Sequence, residues 1–183
     1  MSVSVHNIKI SVKVPYRGLE ALQQCFSGKK KIFRNFFVVD DSGFNFCFFK
    51  YRQTKFSMEC IQRKHHVNIT KIRNFLEITE AIDILVKRIN ISLADISYTI
   101  DNITARTILP FGIDLEKFQI ENKDLNLHQN LEKFPGLFIK LGFITLALFR
   151  SGKINFVGCK SLSIIEETNN WIRERCLASM IMN

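Results

Sequence analysis

Residues 133–160 read KFPGLFIKLGFITLALFRSGKINFVGCK. A Phe-Pro-Gly turn opens the stretch and leads into two apolar strands, at 133–141 and 143–149, the second ending on Phe149. The tetrapeptide Arg150-Ser151-Gly152-Lys153 then reads as a hairpin, because Ser and Gly between two apolar runs favour a tight reversal. A further strand follows from Lys153 into Val-Gly-Cys-Lys at 157–160. The apolar run from Leu137 to Phe149 has 13 residues and is broken by Lys140, too short for a membrane span.

Working outward, the same order of elements occurs twice. Alternating strands around an Asn-Ile pair open each half, VHNIKISVKV at 5–14 and IDNITARTIL at 100–109. Short helical segments follow, GLEALQQCF at 18–26 and DLEKFQIE at 114–121. Next come KIFRNFFVV at 31–39 against KFPGLFIKL at 133–141, then FNFCFF at 44–49 against FITLALF at 143–149. The strand KFSMECIQ at 55–62 is matched with KINFVGCK at 153–160, and each half ends in a helix. Asn7 and Asn102 are 95 residues apart, Phe33 and Phe134 101, and Lys55 and Lys153 98. A near-constant offset is the signature of a repeat, here residues 1–94 and 95–183 forming one compact domain with no Gly- or Ser-rich linker.

The closing helices are amphipathic. In the first, Ile72, Phe75, Leu76, Thr79, Ile82, Val86 and Ile89 fall at helical steps; in the second, Ile164, Ile165, Thr168, Trp171, Ile172 and Cys176 do. Each stripe needs a sheet face to cover, which leaves the opposite sheet face open. The fold class is therefore α+β with antiparallel strands.

Composition narrows the function. Hydrophobic residues make up 46% and charged residues 23% of 183, which describes a folded protein. Seventeen Phe against three Pro and eight Gly indicate many aromatics to bury or present. A formal charge of +9 favours a polyanionic partner, nucleic acid before membrane. Cys25, Cys47, Cys60, Cys159 and Cys176 form no CxxC pair, which suits reduced thiols in an intracellular compartment. His65-His66 sits among basic residues and reads as a solvated loop. The start, MSVSVHNIKISVKV, alternates like a strand and has no signal-peptide block. No nucleophile elbow, phosphate loop or metal-ligand spacing occurs, so no enzymatic activity, metal or cofactor is expected. Asp40-Asp41 before Ser42-Gly43 reads as a hairpin turn.

The succession FPGL, then FRSGK, then VGCK closely resembles the second repeat of the TATA-binding protein family, in which FPGL, an SGK hairpin and TGAK follow one another. The resemblance implies a saddle of two pseudo-symmetric repeats of curved antiparallel sheet, with helices on the convex face. It also implies a transcription initiation factor that binds and bends A·T-rich promoter DNA through the minor groove, recruiting a TFIIB-like factor and RNA polymerase. The TATA-binding protein is itself the type case of wedge insertion at the minor groove.

Carried over residue by residue, the resemblance makes Asn7 and Asn102 the central groove-reading amides and Phe134 and Phe149 the second-half wedges. Phe33 and Phe49 become the first-half wedges, with Phe48 or Tyr51 as alternatives to Phe49. Phosphate contacts fall on Lys55, Lys140, Lys153 and Lys160, Val157 stands where the family has Thr, and Glu132 matches the acidic residue offered to the TFIIB-like factor. Lys9, Ser57, Glu59 and Asn155 depart from the family pattern. A carboxylate facing DNA costs on the order of 1–3 kcal/mol. Such divergence suits a viral or fast-evolving homologue acting in a nucleus or a cytoplasmic viral factory. The alternative reading is a protein-interaction module of the same fold with weakened or lost DNA binding.

Overall fold

The computed structural model describes residues 3–15, 17–18, 46–49, 57–61, 66–129 and 134–181. By internal contacts the chain divides into two units, residues 7–101 and residues 1–6 with 102–183.

In the first unit, most of strand β1 (Ser4–Lys13), then β2 (Phe46–Phe49), β3 (Ser57–Ile61) and β4 (His66–Ile72) pair antiparallel in the order β2-β3-β4-β1. Helix α1 (Leu76–Ile89) follows β4. Its start is fixed locally: the Glu77 N–H donates to Asn74 Oδ1 (3.0 Å), and the Arg73 N–H donates to Glu77 Oε2 (2.8 Å). This reciprocal pair satisfies amides that the first helical turn leaves open. The start sets the phase, so Ile78, Ala81, Ile82, Leu85 and Ile89 face the core with Ile8, Ile10, Val12, Val67, Ile69 and Ile72. The stripe expected from the sequence began too early: Ile72 ends a strand, and Leu76 is 87% exposed.

The second unit contains most of β5 (Ser97–Ile108), then α2 (Leu115–Glu121), β6 (Asn126–Gln129), β7 (Gly136–Leu141), β8 (Ile144–Phe149), β9 (Lys153–Cys159) and α3 (Leu162–Leu177). Its strands pair antiparallel in the order β5-β9-β8-β7-β6. Asp114 caps α2 by accepting from the Glu116 and Lys117 N–H groups, and Ser161 caps α3 by accepting from Ile164 N–H. Leu115 and Phe118 of α2 are buried, as are Ile165, Ile172 and Cys176 of α3. On the strands, Ile103, Ala105, Leu137, Ile139, Leu146, Leu148, Ile154 and Phe156 are fully buried. Each large side chain so removed from water contributes about 1.5–3 kcal/mol. Alternation along each strand turns the intervening residues to the other face. Cys159 and Cys176 are free and buried, and burial pushes the Cys176 thiol up to about 12.

The two units share one plan, but not in the alignment drawn from the sequence. Ile8 pairs with Ile72 and Ile10 with Ile69; Ile103 pairs with Cys159 and Ala105 with Phe156. Both ladders slip by one residue between those pairs. Thus β9 corresponds to β4, not to the strand at 55–62. Likewise Phe149 corresponds by register to Ile61, Phe138 to Phe48 and Ile139 to Phe49. The slip in matching arose because β4, preceded by Arg63-Lys64-His65, reads as a polar loop. The short edge strand β6 was likewise not anticipated.

Candidate nucleic-acid interface

The face of the second unit opposite its helices is ordered in rows across the strands. One row runs Arg106, Asn155, Ala147, Phe138, His128; a second runs Val157, Thr145, Lys140, Asn126. Ile108 pairs with Lys153, and Gly136 with Phe149. Val157 is 45% exposed, Lys140 is exposed, and Phe138, Phe149, Lys153 and Asn155 are half-buried.

Phe134 and Phe149 meet on this face. Their ring centroids are 5.3 Å apart with planes at 57°. Phe134 enters from the Phe-Pro-Gly turn, and Phe149 ends β8 beside the Ser-Gly hairpin, so both anticipated turns deliver a ring to the same spot. Gly136 lies beneath them. A Cβ there would stand 2.8 Å from Phe134 Cε1, 3.1 Å from Leu148 O and 3.2 Å from Phe149 Cε1. The glycine therefore lets both rings rest against the strand. The Lys153 ammonium sits 4.0 Å over the Phe149 ring, a cation–π contact that places positive charge beside the aromatic cluster.

Asn102 shows how an amide is aimed. Its Oδ1 accepts from the Gly158 N–H at 2.7 Å. Gly158 has φ +92° and lies within the slipped part of the ladder. The oxygen is thereby committed to the backbone, and the amide nitrogen, 3.4 Å from Thr104 Oγ1, remains the donor end. In the first unit the Lys71 N–H donates to Asn7 Oδ1, also at 2.7 Å, and Lys71 has φ +66°. A non-glycine residue in that region costs roughly 1–2 kcal/mol, so the first unit holds the same amide lock under strain that glycine avoids in the second.

The first unit's corresponding face differs in charge. The Ser11 hydroxyl lies within hydrogen-bond reach of both Asn68 Oδ1 (2.8 Å) and Asp101 Oδ2, its one proton available to either acceptor, and the Lys9 ammonium lies 3.5 Å from the same Asp101 carboxylate. Lys9, a departure from the family pattern, is thus half of an ion pair. In the second unit the residue at the register of Ser11 is Arg106, whose Nε–H donates to His6 Nε2 (3.0 Å).

Of the remaining sequence-derived candidates, Lys160 is exposed just beyond β9. Phe33, Lys55 and Glu132 lie outside the described residues, as do Tyr51 and the Asp40-Asp41 turn. Phe49 lies on β2 opposite Met58, at the register of Ile139 and not of Phe149. Register gives His66 the place of Lys153 and sets Arg73 where Lys160 stands. Arg73, Arg106 and Phe138 were not singled out from sequence. The signal for Arg73 was present: Asn68-Ile-Thr-Lys-Ile-Arg73 parallels Asn155-Phe-Val-Gly-Cys-Lys160 once the offset shrinks to 87.

Among the described residues, no group of three His, Cys, Asp or Glu side chains could hold a metal ion, and no helix is long and apolar enough to cross a membrane.

Residues 97–175 match the family model described as transcription factor TFIID, or TATA-binding protein. No curated protein matches the chain. Among solved structures, the TATA-binding protein of Methanococcus jannaschii superposes with a TM-score of 0.78 at 19% identity, covering 96% of this chain and 98% of that one. That likeness shows the fold, which is the α+β class expected from the sequence. The second half of the chain thus matches the family's model, and nearly the whole chain shares the fold of the archaeal TATA-binding protein.

Proposed function

We propose that the chain acts as a transcription initiation factor by binding and bending A·T-rich duplex DNA through the minor groove. The observation that carries this reading is the half-buried ring cluster of Phe134 and Phe149, set over Gly136 on the face opposite the helices and flanked by Lys153. Partly exposed aromatics on an open sheet face are costly in water unless a partner covers them. Inserted at a base step, such rings unstack it and kink the duplex. Asn102, and Asn7 in the other unit, would donate to the acceptors that A·T pairs present in the minor groove. Val157 adds smooth apolar surface that the guanine amine of a G·C pair would obstruct. Lys140, Lys153 and Lys160 supply phosphate contacts, which position the duplex without reading sequence and make affinity fall with salt. Arg73 and His66 are the corresponding positions in the first unit, in place of Lys55. Recruitment of a TFIIB-like factor and RNA polymerase, with Glu132 as the offered acid, and action in a nucleus or viral factory, complete this reading. Neither catalysis nor a cofactor enters it.

A salt-titrated gel shift with A·T-rich and G·C-rich duplexes tests it. The expected result is A·T-selective binding that weakens steeply between low and physiological salt. Absence of binding to any A·T-rich duplex at low salt refutes it. The second reading, an interaction module that has lost DNA binding, is favoured by one observation, the Lys9–Asp101 pair that neutralises a basic residue on the first unit's face. That refuting outcome would support it.

A further inference from the structure

The ring cluster contains an aromatic to which the DNA-binding reading assigns no role. Phe138 of β7 lies on the open face, paired with Ala147 on one side and His128 on the other. Its ring stacks on Phe134 with centroids 4.5 Å apart and planes within 22°. Phe149, by contrast, meets Phe134 at a tilt of 57°. Phe134 precedes β7, so no ladder hydrogen bond of that strand fixes its backbone; its ring is held by the stack on Phe138 together with its contacts to Phe149 and to the strand at Gly136. Ala147 offers only a methyl group beside Phe138, and Gly136 places no side chain under Phe134. The face is thus cleared on both sides for the two rings to lie flat together. The spacing also recurs: Phe44 and Phe48 stand four residues apart in sequence, as Phe134 and Phe138 do, and register puts Phe48 at the position of Phe138.

We propose that Phe138 is a positioning residue for the wedge: stacked on Phe134, it holds that ring in the orientation that enters the base step. The inference rests on the DNA-binding function proposed above. Holding the ring before binding removes part of the ordering cost that an unrestrained side chain meets on association. Stacked aromatic pairs contribute beyond their buried area, which sets the expected effect at about fivefold in affinity.

The test is a double-mutant cycle on the full chain, with affinity for an A·T-rich duplex read by fluorescence anisotropy. Phe138→Leu and Phe138→Met keep apolar bulk but remove the flat ring, and thermal melts check that each variant folds. Each should weaken binding about fivefold in the wild-type background and have no further effect once Phe134→Ala is present. Phe138→Tyr should restore binding to within about twofold of wild type. Losses that add to those of Phe134→Ala, unchanged affinity, or tighter binding by the Leu and Met variants would each overturn the positioning role while leaving the DNA-binding function standing. Failure of the wild-type chain to bind any A·T-rich duplex would overturn both.

Discussion

The two units are built to one register and filled with different chemistry. Across the second unit's face the row reads Arg106, Asn155, Ala147, Phe138; the corresponding row of the first reads Ser11, Asn68, Glu59, Phe48. Serine thus takes the register position of the arginine, and glutamate that of the alanine. Asp101 adds a carboxylate to the first unit, within hydrogen-bond reach of Ser11 and paired with Lys9. Yet both units slip their ladders at the same place and lock an Asn oxygen onto a left-handed residue. The backbone device is common to both halves, whereas the electrostatics are not. A polyanion is therefore expected to be gripped mainly by the second unit.

The sharpest way to break the comparison is to remove the rings of the second unit. Phe134→Ala with Phe149→Ala should lower affinity for an A·T-rich duplex on the order of 100-fold, since aromatic–base stacking contributes about 1–3 kcal/mol per base. Gel shifts would measure this, and a loss under threefold would show that the rings take no part in binding.

Next in size is the amide lock, read as stability. A Cβ on Gly158 would stand 2.2 Å from Phe143 O, so Gly158→Ala should destabilise by about 3 kcal/mol. Lys71→Gly, at the matching position, should change stability by less than about 1 kcal/mol, because relief of left-handed strain is offset by the freer unfolded chain. Urea unfolding of both variants checks the contrast, and equal costs would contradict the shared device.

Electrostatic contrast comes third. Glu59→Ala gives the first unit the residue type of the second and should strengthen DNA binding by about tenfold or less. Equilibrium titration would show the direction, and weaker binding would place that carboxylate away from the duplex.

The smallest effect concerns the second unit's helical side. Arg175 donates to both Asp124 oxygens at 3.0 Å, and this holds the Asp124 carboxyl below the usual range. A carboxylate whose folded value is lowered contributes stability above its unfolded value, and that contribution is lost as pH falls through the folded one. Thermal melts of Asp124→Asn should therefore fall slightly below wild type near neutrality and converge with it below about pH 4. The contact is exposed, so the difference will be small.

The order of elements in the second half was legible residue by residue, because Phe-Pro-Gly and Arg-Ser-Gly-Lys are turn signals that leave little choice of register. The fold class followed from two amphipathic helices that require one sheet face. The first half was misaligned where β4 carries His66, Asn68, Thr70 and Lys71 among its apolar residues, so that strand alternation was masked by basic and polar side chains. In the candidate site, the meeting of Phe134 with Phe149 beside two turns was legible from motif context, as was the strand position of Asn102. Phe138 and Arg106 were not, since their place on the open face depends on cross-strand pairing that only the ladder registers reveal. The amide lock was likewise hidden: it requires an extra residue in the partner strand and a left-handed backbone, and Lys71 gives no local sign of either.

The central claim is that Phe134 and Phe149 pry open a base step of A·T-rich DNA. Fluorescence energy transfer between dyes at the two ends of a short A·T-rich duplex tests it most directly. The wild-type chain should shorten the end-to-end distance on binding, and the Phe134→Ala, Phe149→Ala variant, at concentrations that saturate the duplex, should leave it extended. Equal shortening by both proteins would contradict the wedge mechanism.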